Sequence, residues 1–124
     1  MKGLAPAGWH VPTDDEWQIM INYLGGNSIA GGKMKEVGFK HWFEPNTDAT
    51  NESDLAVLPS GYRGENGYYG GLGYFSYFWS STAFLTDYAW HRSLEYRSTI
   101  VSRSISSKQR GFAIRCISDP TGPQ

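Results

Sequence analysis

The hydrophobic period of this chain changes once, and that change sets its fold class. Up to about residue 37 the apolar residues recur at helical spacing, and from Asp54 onward they alternate with a period of two. Helices grouped ahead of strands specify an α+β arrangement, because a doubly wound sheet needs the two to alternate. The first helix is predicted over residues 13–24. Thr13, Asp14, Asp15 and Glu16 form a capping box, in which the Thr13 hydroxyl accepts from the amide three residues on and Glu16 reaches back. Acids in the first turn also suit the helix dipole. Trp17, Met20, Ile21 and Leu24 mark one apolar face, and Gly25-Gly26 ends the helix. A shorter second helix is expected from about Asn27 to Val37, with Asn27 or Ser28 as its cap. Gly31-Gly32 weakens it by about 1 kcal/mol per glycine relative to alanine, a cost that makes sense if another backbone crosses there.

Residues 38–53 read as loop, anchored by Trp42 and Phe43. Leu55 to Leu58 reads as a buried strand, and residues 64–73 as a glycine- and tyrosine-rich loop. Tyr77–Thr82, Ala89–Tyr96, Ile100–Ile105 and Phe112–Ile117 are the expected strands of an antiparallel meander. Within Ala89–Tyr96, the residues Trp90, Leu94 and Tyr96 share a face with Arg92, while His91, Ser93 and Glu95 point the other way. Arg92 and Arg115 have apolar neighbours, and each needs a carboxylate, a carbonyl or an aromatic face beside it.

A chain of 124 residues is expected to form one domain over 1–124, with residues 120–124 a disordered tail. Its 15 glycines and 6 prolines argue for many turns and against a helical bundle. A net charge of −1 argues against a dedicated nucleic-acid binder. That average hides a split: acids outnumber lysines between Thr13 and Asp54, whereas Glu95 is the only acid between Tyr88 and Ser118. The two halves either attract each other when packed, or the basic end meets an anionic partner. Cys116 stands alone, so no internal disulfide forms. No apolar run approaches the roughly 18 residues of a membrane helix, and membrane insertion is not expected.

Six blocks carry a family resemblance. They are Gly8 to Trp17, Ala30 to Lys35, Asn51-Glu52-Ser53, Leu58 to Arg63, Trp79-Ser80-Ser81-Thr82 and Gly111 to Cys116, in this order. Together they resemble the Fibrobacter succinogenes major paralogous domain, which is similar to the formylglycine-generating-enzyme type of C-type-lectin-like fold. The resemblance implies two N-terminal helices packed on a C-terminal antiparallel meander. It also implies an extracellular or cell-surface location in a bacterium, and no particular reaction. Members usually carry residues ahead of the Gly-Trp-His block; an apolar patch left uncovered there would favour a homo-oligomer.

The catalytic options are thin. The enzyme relatives oxidise a cysteine with reactive cysteines of their own, and Cys116 has no second cysteine as a redox partner. His10, His41 and His91 have no acid or nucleophile at a recognisable spacing, and Gly70 to Gly73 lacks the lysine and helix of a phosphate loop. Glu44-Pro45-Asn46 matches the calcium- and sugar-ligating triplet of mannose-binding lectins. Here, however, it precedes the sheet, and the later strand lacks the matching Asn-Asp pair. No cofactor is expected. Calcium is the one ion for which a donor set can be written, with Asp48, Asn51, Glu52 and Asp54 as the oxygens.

The expected function is therefore a non-catalytic binding or display module that recognises a protein or glycan. Tyr88, His91, Glu95, Arg97 and Arg103 on the C-terminal sheet face are the candidate ligand-binding residues, since Tyr, His and Arg give contact area and hydrogen bonds at modest entropic cost. The same segment resembles the variable region of lectin-fold receptors diversified by retroelements. A self-assembling scaffold domain and a degenerate relative of a formylglycine-generating enzyme are the alternatives.

Overall fold

A computed structural model describes residues 4–120. Of the expected tail, residues 121–124 lie outside the described residues. Helix α1, Asp14–Tyr23, starts where the capping box puts it: Thr13 Oγ1 accepts from the Glu16 amide, and Glu16 accepts from the Thr13 amide. Loss of such a cap costs about 1 kcal/mol. Trp17 and Ile21 face inward, and the Trp17 ring packs at 5.5 Å from Phe78.

Helix α2 is a single turn and a half, Ala30–Met34, shorter than the expected 27–37. Neither Asn27 nor Ser28 caps it; their carbonyls accept instead from Val101 N and Thr99 Oγ1. It stops at Lys35 because that residue turns extended and bridges Val57 in parallel. The two glycines are crossed on both sides. A Cβ on Gly31 would lie 2.6 Å from the Thr99 carbonyl oxygen, and one on Gly32 would lie 2.5 Å from that of Asp48. The loop after α2 is bound to it through Thr50 N to Gly32 O and Ser53 N to Lys33 O.

Short strands β1 (Trp9–His10), β2 (Tyr62–Arg63) and β3 (Tyr69–Gly70) surround the main sheet of β4 (Phe75–Phe84), β5 (Tyr88–Glu95) and β6 (Ser102–Ser107). That sheet is antiparallel in the order β4-β5-β6. Strand β7 (Ile117–Ser118) pairs with β1, so the first and last strands lie side by side. Leu55 to Leu58 is not a strand: Asp54 and Ala56 take positive φ, and Val57 alone makes a bridge. Nor does Phe112–Ile117 continue the meander. Ala113 bridges Phe78 in parallel, on the edge of β4 away from β5. The meander therefore has three strands, and the segment expected as its fourth runs along the outer edge of β4 and turns the Phe112 ring onto one face.

Both faces of the sheet are consequently occupied. On one, Phe78 and Leu94 join Trp17, Ile21, Met34, Trp42, Val57 and Val101 in the core. On the other, the Phe112 ring lies 4.4 Å from Trp79 and 5.0 Å from His91.

Candidate functional site

The residues expected to form a binding face divide among different tasks. His91 is 5% exposed, buried against Trp79 and Phe112, so the expectation that it points to solvent is corrected. Alternation along β5 turns His91 away from Arg92, as read, but the Phe112 segment then seals that side. Burial pushes the His91 pKa down to about 4, with the nearby Arg110 charge acting in the same direction. Arg103 is half-exposed and held by the protein itself, with its guanidinium 3.6 Å from the Trp90 ring centroid and Nε donating to Asp14. Glu95 is half-buried at the end of β5, and its carbonyl accepts from Lys35. Tyr88 and Arg97 are exposed at opposite ends of β5: Tyr88 pairs with Phe84 near the hairpin tip, and Arg97 lies over the Tyr96 ring.

Loops from distant parts of the sequence build a different concavity. Trp42 is fully buried and donates from Nε1 to the Val57 carbonyl, which anchors the loop after α2. Asn46 faces inward and donates to the carbonyls of Glu36 and Gly38, so the lectin-like triplet spends its amide on the fold. Phe39, ahead of these anchors, and Phe43, between them, are exposed. The Phe43 amide donates to Gly73 O, and Gly73, at φ +87°, leaves room for the Phe43 ring that a Cβ would take. Tyr74 then lies 4.5 Å from Phe43 and 5.0 Å from Tyr96, the two tyrosine rings meeting at 79°. The result is an open bowl of about 620 Å³ lined by Phe39, Trp42, Phe43, Glu44, Tyr74 and Tyr96. An adjoining groove of about 470 Å³ shares Phe39, Trp42 and Phe43 and continues past Leu58 and Leu72.

Lys35 supports this bowl from beneath. It is completely buried, donates to the carbonyls of Glu95 and Ser98, and places Nζ 5.4 Å from the Trp42 ring centroid. Desolvation pulls its pKa down to about 8, against the opposing charges of Glu95 and Asp48. Sequence reading missed Lys35 as a buried group, since nothing local separates it from the surface lysines. Phe39 and Tyr74 were also missed, although each follows a glycine in a loop, where a large apolar residue has no core to fill.

The proposed calcium donors sit along the turn that wraps α2. Asn51 Oδ1 accepts from the Ala56 amide, Glu52 lies 3.8 Å from Lys33 Nζ, and Asp48 and Asp54 adopt positive φ. Among the described residues no three His, Cys, Asp or Glu side chains are grouped to hold a metal ion. His10 lies between two carboxylates, with Nδ1 2.7 Å from Asp119 and Nε2 3.0 Å from Glu16. These hydrogen bonds, Glu16 first, raise its pKa. This group fastens the β1–β7 pair to the start of α1. Cys116 is half-buried in a small apolar cleft with Trp17, Met20 and Arg115, and Arg115 donates to the Leu55 carbonyl.

The six sequence blocks now have structural places: the capped helix, the glycine crossing, the wrapping turn, the entry to β2 from Leu58 to Arg63, the middle of β4 and the segment along the edge of β4. A model of the Fibrobacter succinogenes major domain matches residues 1–118. The chain belongs to this family. The Fibrobacter succinogenes major domain here is a mixed α+β fold with antiparallel sheets, and among its described residues no helix is long and apolar enough to cross a membrane. The chain matches no curated protein and no solved structure.

Proposed function

We propose that this domain is a non-catalytic binding module, exported and displayed by a bacterium, which captures a protein or glycan ligand through the aromatic bowl and its groove. The observation that carries this reading is the exposure of Phe39, Phe43 and Tyr74 around the bowl, with Leu72 exposed along the adjoining groove. Phe43 is 51% and Tyr74 42% exposed, although each ring could bury in a core if packing were its only use. The bowl stands on rigid supports, with Trp42 and Lys35 locked below it and Gly73 fixing the Phe43 ring, so a ligand meets a preformed surface. The architecture is read as C-type-lectin-like and akin to the formylglycine-generating enzymes, a reading supported by the pairing of first and last strands and the two leading helices. No cofactor enters the proposal, and capture is expected to be the same with calcium or a chelator.

A glycan array and a pull-down of surface proteins test the proposal. The Phe43→Ala/Tyr74→Ala double variant loses capture while its melting temperature stays near that of the parent. Undiminished capture by that variant ends the reading. A self-associating scaffold is the second reading, favoured by further exposed apolar residues at Tyr68, Tyr69 and Leu85. Light scattering after size exclusion separates the two: a stable homo-oligomer that covers the bowl supports the scaffold.

A further inference from the structure

The charge within the bowl narrows the ligand class, and this inference rests on the binding-module reading. Aromatic faces carry negative π density and attract cations within about 6 Å of a ring centroid. Five of the six lining residues are aromatic, and the sixth, Glu44, is an exposed carboxylate without a cationic partner among the described residues. The fold already uses this chemistry internally, with Lys35 on Trp42, Arg97 on Tyr96 and Arg103 on Trp90. Lys35 and Arg97 each engage one ring, which leaves the half-exposed rings of Phe39, Phe43 and Tyr74, together with Glu44, to an external group.

We infer that the bowl, through Phe39, Phe43, Tyr74 and Glu44, receives a lysine side chain of a polypeptide ligand, with the ammonium held against these rings and Glu44. Two observations favour this source over a free quaternary amine. The Glu44 carboxylate rewards N–H donors, of which a lysine ammonium has three and a quaternary ammonium none. The adjoining groove, lined by Lys40 and His41 as well as by Leu58, Pro59 and Leu72, gives the flanking chain a largely apolar bed that a lone headgroup would leave empty. A lysine stem also lies along apolar surface while its head meets the charge.

The test is a titration of the isotope-labelled intact domain, followed by nuclear magnetic resonance, with the peptide acetyl-Gly-Gly-Lys-Gly-Gly-amide. In parallel arms, norleucine replaces the lysine as its neutral counterpart, choline is the probe, and cellohexaose is the probe. The lysine peptide should shift the signals of Phe39, Phe43, Tyr74 and Tyr96. The norleucine peptide should bind at least about tenfold more weakly, as removal of a cation–π and ion-pair contact implies. Glu44→Gln, on an exposed loop residue, should weaken the lysine peptide by a similar factor with the rest of the spectrum unchanged. Equal binding of both peptides, tighter binding of choline, a response to cellohexaose alone, or no response in any arm overturns the inference. Failure here, with Phe43→Ala/Tyr74→Ala still losing its captured partner, leaves the binding-module reading standing.

Discussion

Asp14 holds Arg92 across the interface between α1 and the sheet, and the pair lies almost wholly out of water. One carboxylate oxygen accepts from both Nε and Nη2 of Arg92, at 3.1 and 3.0 Å, while the other accepts from Arg103. Gln18 Oε1 takes the Nη1 donor at 2.8 Å. A residue of the capping box is thus also the counter-ion of the central strand, and the opposed charges of the two chain halves meet inside the molecule.

Asp14→Ala should accordingly destabilise far more than loss of a helix-capping acid. It leaves a guanidinium only 1% exposed without its partner, a defect worth about 3–5 kcal/mol. Arg103→Gln, on the half-exposed member, should cost less than about 1 kcal/mol. Urea unfolding of the two variants checks this, and equal losses would show that the buried pair is not the special one.

Gly31→Ala and Gly32→Ala should reverse the usual helical preference. In an open helix each would gain up to about 1 kcal/mol. Here the added methyl meets the Thr99 or Asp48 carbonyl oxygen, and backbone has little room to yield. A loss of about 1–3 kcal/mol is expected for each, typical of overpacking. A gain in melting temperature would mean that the crossing is looser than described.

Two histidines should give acid stability opposite signs. The folded His91, at a pKa of about 4, refuses a proton that the unfolded chain accepts below about 6.5. Stability therefore falls as pH drops from about 6.5 toward 4, by roughly 3 kcal/mol in total. His10, raised by Glu16 and Asp119, contributes fully below about 6.5 and loses that contribution as pH rises through its folded value. Glu16 is lowered, first by the Thr13 amide, and its contribution fades as pH falls below about 4.5 through its folded value. His91→Phe should thus flatten the decline between pH 7 and 5, and His10→Gln should steepen it. Unfolding curves across that range decide; unchanged slopes in both variants would refute the assignment.

Gly73→Ala, at a residue that also lines the groove, should impair binding by displacing the Phe43 ring. The methyl displaces the Phe43 ring, and positive φ adds about 1 kcal/mol of strain. Partner capture should fall sharply while circular dichroism stays that of the parent. Tyr88→Ala, at the opposite end of the β4–β5 hairpin from Tyr74, should keep capture. The reverse pattern would move the binding site to the hairpin tip.

The sequence by itself determined what local physics settles. The Thr13 cap and the spacing of Trp17, Ile21 and Leu24 specify α1, because capping bonds and helical faces involve residues within a turn or two. Alternation identified β4, β5 and β6 and turned His91 and Arg92 to opposite faces, and the paired glycines announced a crossing backbone. Alternation cannot say what lies against either face. Only tertiary structure sent Phe112 across the edge of β4 to bury His91, and only it brought Phe39 and Phe43 of one loop together with Tyr74 and Tyr96. Such contacts join residues far apart in the chain, where packing of the whole decides which side chains meet and which are left to solvent.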